Sequence, residues 1–265
     1  MLEKIAVMPH GDEVLVPEDD ATRNLKKLMK EIGKNMAGED EYVIITPHNI
    51  RIDDHIGVIL TEHAYGFWKY RKVRFGGLYK CDRTLAMEIY QRGKEARIPV
   101  AGINFGALEG KLSRIQLDWG TLIPLYFLPK KHIVILTPAR KIKREKLVRF
   151  GELLGNILSS YPRNIALIVS ADHAHTHLKE GPYGFAPEAR KYDEYVMKAL
   201  KSGNLSPLLS LEEEFIEKAK PDSYWQLLIL YGFLKHREYR VEKCVYACPT
   251  YFGMSACLIT SRNCK

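Results

Sequence analysis

The chain reads as an α/β protein: one domain over residues 1–265, with a central mixed, largely parallel sheet and helices on both faces. Three observations predict this. Residues 132–137 and 164–170 have the length and β-branched content of buried central strands, and the amphipathic stretch 141–160 lies between them. Strand-like and helix-like periodicities alternate along most of the chain, the pattern of a sheet covered by helices. At 265 residues and 46% hydrophobic composition the chain can bury a full core, and no linker-like stretch, repeat or low-complexity segment divides it.

The elements follow in order. Residues 4–8 form a first strand that exits through Pro9-His10-Gly11. A helix with Asp19 or Asp20 as N-cap carries the stripe Leu25, Leu28, Met29, Ile32 and Met36 and ends at Gly38. Strands are predicted at 42–46 and 57–61, with an edge strand at 73–75 before Gly76-Gly77. Helical spacing returns over 84–97, with Leu85, Ile89 and Ala96 inward, and 98–103 reads as a strand. Beyond the central pair, helices are predicted at 187–201, 211–218 and 224–234, then closing strands at 243–247 and 255–260.

Composition narrows the function classes. The formal charge is +8, with basic clusters at 130–132, 140–149 and 235–240. Acidic residues are interleaved and no nucleic-acid motif is present, so Lys141, Lys143, Arg144, Lys146 and Arg149 read as the solvated face of one helix. Neither a nucleic-acid nor a membrane partner is expected. The apolar runs are too short to span a bilayer and no signal-peptide pattern opens the chain, so a soluble cytoplasmic protein is expected. The five cysteines, Cys81, Cys244, Cys248, Cys257 and Cys264, are read as reduced structural thiols; Cys244 and Cys248 lack the second pair that a zinc ribbon needs.

The chemistry lies with histidines at strand exits. His10 and His48 each follow an apolar run and a proline, which keeps the exit extended and projects an imidazole into the crevice beyond the strand. A third cluster, Asp172-His173-Ala174-His175-Thr176-His177, follows the strand at 164–170. If it stays extended, its three histidines share one face, and Asp172 is left as a buried partner or turn former. Two histidines and a carboxylate on one face of Fe(II) leave positions open for substrate and dioxygen, while an outer histidine moves protons.

Four stretches carry a family resemblance: Met8-Pro9-His10-Gly11, Thr46-Pro47-His48-Asn49, the segment from Leu117-Asp118-Trp119-Gly120 to Leu125, and Val169 to His175. Together with Pro249 to Met254, they resemble the catalytic-subunit superfamily of class III extradiol ring-cleavage dioxygenases, which also contains the Memo proteins. The resemblance implies a catechol-like aromatic substrate, dioxygen and Fe(II), with zinc as the other metal to consider, and it is compatible with a homo-oligomer. It implies His10 and His48 as metal ligands and His175, with Asp172, as the catalytic acid and base. The family's third ligand is a glutamate before a late helix, or a cysteine in the Memo branch. The corresponding loop here, 219–225, offers Asp222, with Glu212, Glu213 and Glu214 as fallbacks.

One departure bears on activity. Members that cleave catechols commonly carry Asp-His-Gly where this chain has Asp118-Trp119-Gly120, so Asp118 and Trp119 become candidate substrate contacts, with an indole that stacks but does not titrate. Tyr183 and Tyr192 are further candidates for the pocket wall. Two alternatives stand beside the dioxygenase: a Memo-like metal-binding protein without ring cleavage, and a zinc hydrolase held by His173, His175 and His177.

Overall fold

The computed structural model describes residues 4–261. In chain order the elements are β1 (Lys4–Met8), α1 (Asp20–Asn35), β2 (Glu41–Ile45), β3 (Ile56–Ile59), β4 (His63–Tyr70), β5 (Val73–Lys80), α2 (Arg83–Glu95), β6 (Val100–Ile103) and β7 (Arg114–Gln116). They continue with α3 (Trp119–Phe127), β8 (His132–Thr137), α4 (Arg144–Ser160), β9 (Ile165–Ser170), α5 (Glu188–Ser202), α6 (Glu213–Ala219), α7 (Tyr224–Leu234), β10 (Tyr239–Ala247) and β11 (Met254–Ser261).

Eight strands make the main sheet, in the order β10-β11-β1-β9-β2-β8-β3-β6. Its middle four, β1, β9, β2 and β8, run parallel to one another, whereas β11 meets β1 and β3 meets β8 antiparallel. Strand alternation splits the core into two layers. Ile5, Val7, Val43, Ile45, Val134 and Leu136 face one cluster with α2, α4, α5 and α7; Ala6, Met8, Tyr42, Ile44, Ile133 and Ile135 face the other, with α1 and α3. Helices therefore cover both faces, as predicted.

Local chemistry sets the helix ends. Asp19 is the N-cap of α1, accepting from the Thr22 backbone N–H and hydroxyl at 2.8 Å each, and the predicted apolar stripe is buried. Helix α7 is apolar on nearly every side, so it is enclosed rather than laid on a surface. It lies against α4 so closely that a Cβ on Gly232 would stand 1.8 Å from the Val148 carbonyl oxygen.

The structure departs from expectation in three places. The strand expected at 73–75 runs on to Lys80, with Gly76 and Gly77 inside it at φ 134° and 145°, and pairs with the unpredicted β4 in a small second sheet, β5-β4-β7. Helix α4 starts only at Arg144, whose guanidinium donates to the carbonyls of Leu209 and Leu211, so Lys141, Lys143 and Arg144 are not a free helical face. The reduced-thiol expectation fails for Cys244 and Cys257, which form a disulfide because the β10–β11 register sets them directly opposite each other. Cys81 and Cys248 are free, and Cys264 lies outside the described residues. No helix among the described residues is long and apolar enough to cross a membrane.

Candidate metal centre

Because the four middle strands are adjacent and parallel, their carboxyl ends open on one edge of the sheet, where ligands gather in α/β folds. His10 stands two residues beyond β1, His48 three beyond β2, Arg140 three beyond β8, and the Asp172 to His175 segment follows β9. Asp222 arrives from the helical layer. Lys220 ends α6 in the left-handed region at φ 49°, Pro221 follows, and the chain turns to offer Asp222 just before the enclosed α7.

His10, His48 and Asp222 converge. Their facing atoms are 3.1 Å apart between the two Nε2 atoms, 2.9 Å from His48 Nε2 to Asp222 Oδ2, and 3.3 Å from His10 Nε2 to Asp222 Oδ2. Around one ion with bonds of about 2.1 Å, the zinc–imidazole length, donor atoms at tetrahedral to octahedral angles are about 3.0–3.4 Å apart. Among the described residues this is the only His, Cys, Asp and Glu group with such convergence.

Hydrogen bonds fix the His10 tautomer. The Ser170 hydroxyl donates to the Gly120 carbonyl, so its oxygen accepts from His10 Nδ1 at 2.9 Å. Nε2 of neutral His10 is then a lone pair facing a second imidazole nitrogen and a carboxylate oxygen, an arrangement that calls for a cation. Charge bears this out. Burial alone depresses the His10 pKa, but Asp172 and Asp222 outweigh it and the net shift is upward. Burial pushes the Asp222 carboxyl up, yet His10 and His48, when the facing nitrogens carry protons in place of a metal, hold it well below the carboxylate range. The residues present therefore fit a divalent metal.

His175 lines the same cavity, of about 830 Å³, the size of a small-molecule site. Its Nδ1 donates to the His173 carbonyl at 2.8 Å, leaving Nε2 as the basic nitrogen, and its ring stacks on Phe252. Asp172, also on the cavity wall, accepts from the His10 backbone N–H at 3.1 Å; burial raises its carboxyl pKa against the opposing charges of His10 and His175. Trp119 opens α3 and lies against His48, ring centroids 4.3 Å apart. The next residue has to be glycine, since a Cβ there would meet His48 Cδ2 at 2.7 Å. Asp118 takes a different position: its carboxylate caps α3 through Thr121 and accepts from Asn49, outside the cavity lining.

The three alternating histidines do not come together. His173 is buried between the Ser223 and Ser255 hydroxyls, and burial pushes its pKa down to about 4. His177 pairs with Asp193 at 2.8 Å, and only His175 reaches the cavity. The segment makes isolated bridges rather than a strand, so strict alternation is lost and the zinc ligand set read from it is not assembled. Tyr183 lines the cavity; Tyr192 is instead a core residue whose hydroxyl pairs with that of Ser223. Sequence reasoning missed Ser170, Arg140, Trp68 and Trp225. For Arg140 the signal was available: Pro138-Ala139-Arg140 is a third proline-marked strand exit.

The fold and this cluster define an α/β protein with a metal-type His, His, Asp centre at the strand ends. The chain belongs to the family described as the catalytic LigB subunit of aromatic ring-opening dioxygenase, whose family model matches residues 4–259. It is 27% identical over 248 residues to Protein CA_C1420 of Clostridium acetobutylicum, a match that covers 89% of this chain and 53% of that protein. The chain thus spans about half the length of that curated relative. The crystal structure of the uncharacterized protein JW3007 from Escherichia coli K12 has the same fold, with a TM-score of 0.63 at 18% identity over 97% of this chain and 99% of that one.

Proposed function

We propose that this chain is a non-haem Fe(II) extradiol-type dioxygenase that opens a catechol-like aromatic ring with dioxygen, acting as one catalytic domain over residues 1–265 in the cytoplasm. The observation that carries this reading is the convergence of His10, His48 and Asp222 within 2.9–3.3 Å, in a member of the ring-opening family. Bound there, Fe(II) supplies the Lewis acidity and the dioxygen chemistry that no side chain provides.

The protein's own groups do the rest. His175 Nε2 takes a proton from the substrate diol and returns it as the ring opens, since its Nδ1 proton is held by the His173 carbonyl. Asp172 fixes the His10 backbone, Ser170 fixes the His10 tautomer, and Trp119, Trp68 and Phe252 give the ring apolar walls that exclude water.

Metal analysis of anaerobically purified wild type beside His10→Ala and His48→Ala, then oxygen uptake on a catechol panel after Fe(II) loading, tests the reading. Metal lost from both variants, with catechol-dependent uptake by wild type, is the expected result. Metal retained in both variants overturns the ligand set. One observation favours a second reading, a Memo-like metal-binding protein without ring cleavage: Trp119 packs on His48 where catechol-cleaving members carry a histidine. Metal binding with no uptake across the panel would select it, and zinc at the same donors would be consistent with it.

A further inference from the structure

The small sheet, β5-β4-β7, lays one face on the core and leaves the other uncovered. Ala64 and Gly66 of β4, Tyr79 of β5 and Ile115 of β7 are buried on the inner side, where a Cβ on Gly66 would meet Leu117 Cβ at 2.9 Å and Leu122 Cδ1 at 3.0 Å. Alternation along the strands then turns Phe67 and Leu78 outward, and apolar side chains hold the centre of the outer face. Phe67 is 73% exposed because its partner across the ladder is Gly76, which has no side chain for the ring to lie on. Leu78, opposite Tyr65, is 51% exposed, and Phe105, Leu108 and Leu112, in the loop that leads into β7, are each more than half exposed.

Cations surround this centre. Lys69, Arg74, Lys80 and Arg114 lie at outward positions of the three strands and are exposed. Arg114 sits over the Tyr65 ring at 5.1 Å, and the side chains of the other three make no hydrogen bond or ion pair among the described residues. None of the three strands contains an acid to neutralise them. Acids of the adjoining loops are engaged elsewhere, Glu109 by Arg83 at 3.3 Å and Glu62 by the Gly110 backbone N–H at 3.0 Å. A face with exposed Phe and Leu among unpaired cations marks a place of contact with something both apolar and anionic.

We propose that the outer face of the β5-β4-β7 sheet, with the loop that enters β7, docks this chain on an anionic lipid surface. Charge and shape select that occupant. A second copy of the chain would bring the same four cations against them, and a single-stranded nucleic acid would use the cations and Phe67 but leave Leu78, Leu108 and Leu112 in water. A leaflet containing acidic lipids supplies phosphates for the cations and an acyl boundary for the Phe and Leu side chains. The absence of a membrane-crossing helix among the described residues bears on insertion through a bilayer, whereas a face assembled from three strands needs no continuous apolar run. The inference is independent of the dioxygenase reading. Strand β4 connects the two places: Trp68, the residue after Phe67, lines the cavity and lies 5.9 Å from the Trp119 ring, so docking would hold the cavity beside the membrane.

Vesicle co-sedimentation tests this on the full chain. Wild type is expected to sediment with vesicles of equimolar phosphatidylcholine and phosphatidylglycerol, to stay in solution with phosphatidylcholine alone, and to bind less as salt rises. Two paired variants, both at exposed positions, separate the contributions. Phe67→Ser with Leu78→Ser should weaken binding to the mixed vesicles about tenfold or more, and Lys69→Gln with Lys80→Gln should do the same, at about fivefold for each cation removed. Wild type that fails to sediment with the mixed vesicles overturns the proposal. So does full binding by the Phe67→Ser, Leu78→Ser pair, which would reduce the effect to the chain's overall positive charge. Oligouridylate or polyglutamate bound in place of vesicles, or a dimer in sedimentation equilibrium that the Phe67→Ser, Leu78→Ser pair dissolves, would give the face a different occupant and overturn the lipid assignment.

Discussion

Replacing Ser170 by alanine tests the link between the sheet and the candidate ligand His10. The Ser170 hydroxyl sits at the end of β9, accepts from His10 Nδ1 at 2.9 Å and donates to the Gly120 carbonyl. Ser170→Ala strands a buried N–H on an imidazole only 2% exposed and leaves that carbonyl with one partner fewer. A buried unsatisfied group costs about 1–3 kcal/mol, and a carbonyl tolerates the loss better than an N–H, so the metal-free protein should lose about 2 kcal/mol. Losing the partner that orients a ligating histidine costs about 10–100-fold in metal affinity, or about 1.4–2.8 kcal/mol. Denaturant unfolding of the metal-free protein measures the first effect, and a chelator-competition titration measures the second. A variant that keeps wild-type metal affinity would refute the reasoning, since the Nδ1 proton of His10 would then not be fixed through Ser170.

Asp222→Glu adds one methylene to a carboxylate whose backbone N–H is tied to the His173 carbonyl and whose C=O accepts from Gln226. With the main chain pinned, the longer side chain overshoots, and metal affinity should fall at least about tenfold despite conserved charge, as read by the same titration. Gly232→Ala drives a Cβ to 1.8 Å from the Val148 carbonyl oxygen and should destabilise the protein by about 3 kcal/mol or more in urea unfolding, with metal affinity falling as α7 shifts. For His177, burial lowers the pKa but the Asp193 carboxylate and the Cys248 thiol raise it to a net of about 9. The pair's stabilisation is therefore complete below the unfolded value of about 6.5 and disappears as pH rises through about 9. His177→Gln should flatten this part of a Tm-against-pH profile between pH 6 and 10, and an unchanged profile would count against the ion pair.

Much of the fold was legible because its central strands are apolar on both faces and its helices alternate with them: α7 runs over the predicted 224–234, and β8 over 132–137. The small sheet was not, because β4, His-Ala-Tyr-Gly-Phe-Trp-Lys-Tyr, mixes aromatic, glycine and basic residues with no clean period and pairs with a strand whose two glycines read as a terminator. The disulfide was illegible for a related reason. Cys244 and Cys257 are thirteen positions apart in the sequence, and nothing short of the hairpin register sets them opposite each other.

The candidate site divides along the same line. His10 and His48 stand out because a strand followed by proline is a local signal, and parallel neighbours turn two local signals into one place. Asp222 has no local signal: a carboxylate after Pro221 resembles many loop acids, and what distinguishes it is α7. An apolar helix enclosed by α4 and β9 has one stable seat, and the left-handed Lys220 turns the chain into that seat with Asp222 leading. Hydrogen bonds from the Asp222 backbone to His173, and from Gln226 to both Asp222 and Ser170, tie the start of α7 to the strand end that also fixes His10. A short aspartate therefore reaches where the resemblance led one to expect a longer glutamate, because the backbone, rather than the side chain, covers the distance.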